Sequence, residues 1–130
     1  MLKETRKKVM EEHIEYLCKL HQIDKMLVSN TEAAEAWIEH RIVWIPVLSG
    51  PMAYYVALHE IGHIVTFDAV PRLEREARAW TWALEIGKIG VTKPVYRFVK
   101  KCIKRYSVLE PDAECPSYYD LLARLARNSE

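Results

Sequence analysis

From Met52 to Val65 the chain is apolar on every side of a would-be helix, and Ser49, Gly50 and Pro51 stand just before it. Those three residues form a helix-start signature, so the segment predicts a central buried helix. Upstream, Val9, His13, Ile14, Leu17, Leu20 and His21 recur at steps of three and four with Lys and Glu opposite, predicting an amphipathic helix over about 3–25. SNTEAAEAW offers Ser29, Asn30 or Thr31 as an N-cap with Glu close behind, the pattern of a short helix. HRIVWIPVL is β-branched and aromatic and reads as a strand that ends at Pro46 or lies at a sheet edge, since proline cannot donate to a ladder. A further short strand is expected near Met26–Val28. Downstream, PRLEREARAWTWALEIG predicts a helix from about Pro71 to Ile86, stopped by Gly87. Thr92 and Pro94 open another, PVYRFVKKCIKRY, and Ser117 caps a last one running through about Ala126. The fold class expected is α+β, mostly helical, with a small sheet packed on the central helix.

Into that central helix are set two histidines and a glutamate, HEIGH, residues 59–63. Positions i and i+4 lie one turn apart on one helical face, so His59 and His63 can reach the same metal ion. Glu60 projects about 100° round from His59, near the ion without being forced to bind it. This is the arrangement of a zinc hydrolase: neutral imidazoles hold the metal, and a free carboxylate takes a proton from its bound water. The plainer reading, histidines merely satisfied in a core, must desolvate three ionisable groups within five positions, at several kcal/mol. Gly62 points the same way. Glycine inside a helix costs about 1 kcal/mol against alanine, so its presence implies close approach by a backbone or a ligand.

A third protein ligand is sought on the next helix, where Leu73, Ala77, Trp80, Leu84 and Gly87 form the inward stripe. Glu76 lies within about 60° of the centre of that stripe. Glu74 falls on the other side with Arg78, Thr81 and Glu85, a solvated-face pattern. Glu76 is therefore the expected ligand, with Asp68 next in line from the inter-helix loop. Trp80 is expected in the core and Trp82 at a neighbouring helix or half exposed. Tyr54, Tyr55, Tyr96, His40 and Arg78 are candidates to stabilise an oxyanion or touch substrate, and spacing does not choose among them. Tyr55, one turn before His59, is expected on the site side of its helix. Cys102 shares a stripe with Val95, Phe98, Val99 and Tyr106 and reads as a buried thiol.

Composition narrows the classes. A length of 130 residues suits one domain, with its core at about 37–90 and helical extensions at both ends. The net charge of +1 gives no global field for nucleic acid or membrane. The basic run RFVKKCIKRY, 97–106, reads as a solvated face. The amino-terminal segment mixes charge into every turn and is no signal peptide, and no apolar run reaches a membrane span. Cys18, Cys102 and Cys115 are odd in number and widely spaced, which fits a reducing, cytoplasmic setting and neither a disulfide framework nor a cysteine zinc knuckle. The oligomeric state is left open.

HEIGH followed by EARAWTWA resembles the gluzincin class of zinc metallopeptidases, and within it the small ImmA/IrrE-type and phage or mobile-element zincin-like proteins. The likeness covers about 37–84. It implies one zinc ion per chain held by His59, His63 and Glu76, with Glu60 as general base for hydrolysis of a peptide or protein substrate. It also implies a strand before the metal helix along whose edge an extended peptide is held, a role expected here of HRIVWIP. Only twelve residues separate His63 from Glu76, and Trp80 stands where phenylalanine is usual. The alternatives from other classes are a catalytically weak zinc domain that binds protein or DNA, and a metal-free helical interaction domain.

Overall fold

Helix-forming stretches with one apolar face account for most of the chain. The computed structural model describes residues 3–109 and 114–128 and places five helices and a three-stranded sheet among them. The helices are α1 (Lys3–Leu20), α2 (Pro51–Val65), α3 (Arg72–Ile86), α4 (Lys93–Leu109) and α5 (Pro116–Asn128). The strands are β1 (Asp24–Val28), β2 (Glu35–Trp37) and β3 (Ile42–Pro46). None of these helices is long and apolar enough to cross a membrane.

α1 buries Met10, His13, Ile14, Leu17 and Cys18, while Leu20, expected on that face, is exposed. The helix stops earlier than its periodicity suggests because Gln22 turns left-handed, with φ 55°, and Ile23 N–H bonds back to the Cys18 carbonyl. The Arg41 guanidinium takes the carbonyls of His21 and Gln22, closing the helix end. SNTEAAEAW also departs from expectation. Asn30 does act as a cap, accepting from the Ala33 N–H, but only a single 3-10 turn follows, over Thr31–Ala33. Glu35–Trp37 is then drawn into β2, where pairing with β3 overrides the helix propensity of Glu and Ala.

In the sheet, β3 is the middle strand, parallel to β1 and antiparallel to β2. It ends at Pro46, as the missing N–H requires. Val43 and Ile45 point into the core against α2, while Trp44 faces the other way, its ring 4.1 Å from that of Trp37. β1 pairs with all of β3 and β2 with Ile42–Trp44, so the peptide-binding edge expected of HRIVWIP is taken up over that stretch.

α2 lies between β3, α1 and α3, and α3 in turn packs on α4 and α5. The α2–α3 crossing is close because Gly62 has no side chain: a Cβ there would stand 2.8 Å from the Ala79 carbonyl oxygen. That neighbour is backbone and cannot swing aside. Gly62→Ala is therefore expected to lose stability despite alanine's advantage of about 1 kcal/mol in helix propensity, since overpacking costs roughly 1–3 kcal/mol. Urea denaturation checks the sign, and a raised midpoint would mean the two helices have room.

Candidate metal centre

His59 and His63 stand one turn apart on α2, with ring centroids 4.5 Å apart. From α3, Glu76 reaches across so that Oε2 lies 3.3 Å from His59 Nε2 and touches His63 Nε2. Two imidazole nitrogens and a carboxylate oxygen thus converge on one point. The Glu60 carboxylate lies alongside, its Oε2 3.7 Å from His59 Nδ1. That Glu60 oxygen is buried and has no hydrogen-bond partner. One donor atom each from His59, Glu60 and His63 falls within 4.8 Å of the others.

A cation explains features that the side chains alone do not. A buried carboxylate oxygen without a donor is costly, and it stands beside the donor set, two nitrogens and one oxygen, that suits a borderline divalent ion. The residues present therefore fit a divalent metal. His59 is fixed by Trp80, whose indole stacks on the imidazole at 3.9 Å and 9°, with Phe98 set edge-on to that indole.

The two carboxylates are driven in opposite directions. Burial raises the pKa of Glu76, but hydrogen bonds from His59 and His63 and their charges outweigh it, and the group is held well below the usual range. Burial raises Glu60 too, and there the pull of the two histidines does not overcome it. For His63, burial lowers the pKa, and Glu76 more than reverses that. Glu76 is thus held toward its ionised form and Glu60 toward its protonated form.

An open cleft of about 830 Å³ lies over these groups, bounded by β2 on one side and by α3 and α4 on the other. α4 contributes Phe98, Cys102 and Tyr106. Cys102 is half-buried at the cleft wall rather than fully interior. Tyr106, expected only as packing, presents its phenol to Glu76; burial and then the Glu76 charge push its pKa up to about 12.

Tyr55, Arg78, His40 and Tyr54, four of the five candidates for an oxyanion or substrate role, are not brought to the cleft. Tyr55 shares a face with His59, but helical side chains lean toward the N-terminus, and its hydroxyl donates to the Ile89 carbonyl beside Gly87. Arg78 is held on the far side of α3 by Glu74 at 2.7 Å and Asp68 at 3.3 Å. His40 is exposed in the β2–β3 turn, its ring 6.0 Å from that of Trp37. Tyr54 serves the core: its oxygen accepts the Lys88 N–H at 2.9 Å and its hydroxyl meets His13 Nδ1 at 2.5 Å. Asp68, engaged with Arg78, lies apart from the histidines as well.

Glu74 is a correction of another kind. It is not on a solvated face but 2 % exposed, accepting from Arg78 Nε and from both the N–H and the hydroxyl of Ser117 at the start of α5. Helical phase alone could not show this, because the partner lies 43 residues away.

Comparison of the chain with protein-family models, with curated proteins and with solved structures finds no match.

Proposed function

We propose that the chain is a zinc-dependent peptidase in which His59, His63 and Glu76 hold the ion and Glu60 is the general base. The observation that carries this reading is the convergence of both imidazoles on Glu76 with an unpartnered buried Glu60 oxygen at their side. The likeness of HEIGH and EARAWTWA to gluzincins supports it. Zinc held there by His59, His63 and Glu76 would supply Lewis-acid chemistry, polarising a peptide carbonyl and easing deprotonation of a water. Glu60 would take the water proton on its unpartnered Oε2 and pass it to the leaving amine. Trp80 keeps the His59 ring in its plane, and Phe98 and the indole give the cleft a dry floor.

Protein purified without chelator is expected to carry one zinc per chain by elemental analysis, and to cleave members of a mixed peptide library. Chelation should stop cleavage and zinc should restore it. Substoichiometric metal would remove the premise, and a loaded protein that cleaves nothing would leave a zinc-binding interaction domain. Glu76→Ala is expected to weaken zinc binding by about 100-fold or more, given that even supporting residues of metal ligands are worth roughly 10–100-fold. Glu74→Ala, where folded, should bind zinc as the parent does. Isothermal titration on both variants decides which glutamate is the ligand.

A further inference from the structure

The α3–α4 side of the cleft is lined by four cationic side chains: Arg72 and Arg75 on α3, and Lys101 and Arg105 on α4. None of the four has an ion-pair partner among the described residues, although the other arginine of α3, Arg78, has two. Arg72 and Arg75 are three apart and Lys101 and Arg105 four apart, so each pair shares a helical face, an arrangement in which like charges repel. The Nε of Arg75 is moreover buried with no hydrogen-bond acceptor. Arg75 precedes Glu76 on α3, and all four cations line the same cleft as His59, His63 and Glu76. The opposite side of the cleft carries the reverse sign, with Glu32 and Glu35.

From this division we infer that the cleft selects a peptide bearing a carboxylate, which is received by Arg75 and Arg105 with Arg72 and Lys101 adding to the field. Guanidinium groups suit the task because their fixed donors match a carboxylate's two oxygens. A nucleic acid strand fits poorly, since its phosphates would run past Glu32 and Glu35 on the other wall. The carboxylate belongs to an Asp or Glu side chain or to the peptide's own C-terminus, the chemistry being the same. The inference rests on the cleft being a peptide site, and it adds the class of peptide.

The test uses the whole 130-residue Glu60→Gln chain, with and without zinc, as bait for a positional-scanning peptide library. One arm of the library ends in free acids and the other in amides. Bound peptides are expected to be enriched about tenfold or more in Asp and Glu over Asn and Gln at one position, or in free acids over amides, and the enrichment should fall as salt rises. The arm that shows it identifies the source of the carboxylate. Arg75→Gln and Arg105→Gln should each reduce the enrichment, while Lys104→Gln, on the exposed side of α4, should not. Equal capture of acidic and neutral peptides, or enrichment unchanged in both arginine variants, overturns the inference. Hydrolysis by the parent chain without acidic preference would leave the peptidase standing and this inference refuted. Acidic enrichment with no hydrolysis of the captured peptides would do the reverse.

Discussion

Glu60→Gln is expected to keep the fold and the metal while lowering peptide hydrolysis by about 10²–10⁴-fold, the usual worth of a positioned general base. Glutamine has nearly the same volume and can still hydrogen-bond water, but it cannot take a proton at neutral pH. The substitution also removes a buried charge. The Glu60 pKa is raised in the folded chain, so the folded state holds its proton to higher pH than the unfolded state does. Its ionisation therefore weakens the fold as pH rises above about 4.5, the ordinary value. In the metal-free protein at pH 7 the variant should be as stable as the parent or more so. Zinc content, thermal unfolding and library cleavage measured together check the three statements. A variant that cleaves at the parental rate would show that Glu60 is not the base.

Glu74→Ala has the opposite signature, a large loss of stability with the candidate metal ligands untouched. The change strips Arg78 of its shorter ion pair and leaves the Ser117 N–H and hydroxyl in the first turn of α5 without their acceptor. Breaking a buried charged network of this kind costs about 3 kcal/mol, which lowers the melting temperature of a chain this size by roughly 10 °C. Burial opposes ionisation of Glu74, but the hydrogen bonds from Ser117 and Arg78 outweigh it, and the pKa is lowered. Its contribution is thus fully present above the ordinary value of about 4.5 and is lost as pH falls through the lower folded value. The gap between parent and variant should be wide at pH 7 and narrow as pH falls below the ordinary value of about 4.5. A gap independent of pH would mean that packing, not charge, is what the side chain supplies.

The helix that carries HEIGH and its partner are legible because the relevant information is local. His59 and His63 are one turn apart in any α-helix, and Glu76 shares a phase with Leu73, Ala77 and Trp80, so periodicity alone turns it inward. Gly62 was legible for a related reason, a glycine where alanine would serve better, and the close approach of Ala79 accounts for it. What was not legible depends on contacts between distant segments. Glu74 looked solvated because nothing within α3 tells that α5 returns to cover it. Tyr55 looked like a site residue because phase gives a face but not the reach of a long side chain, and its hydroxyl found Ile89 instead. β2 looked helical because TEAAEAW is made of helix formers, and only β3 beside it makes a strand of Glu35–Trp37. Tyr106 and the four cations of the cleft carried the right helical spacing, but no local signal joined α4 to α2.

The stack of Trp80 on His59 gives the molecule an optical channel of its own. An indole in face-to-face contact with an imidazole has its emission quenched most strongly when that ring is protonated, so any change in what His59 binds alters the light Trp80 gives out. The other three tryptophans, Trp37 and Trp44 together on the sheet and Trp82 packed at Gly62, supply the background. Titrating zinc into the chelated chain and following tryptophan emission would then trace occupancy of the site directly, without label or substrate, and Trp80→Phe should abolish the response while leaving the ion bound.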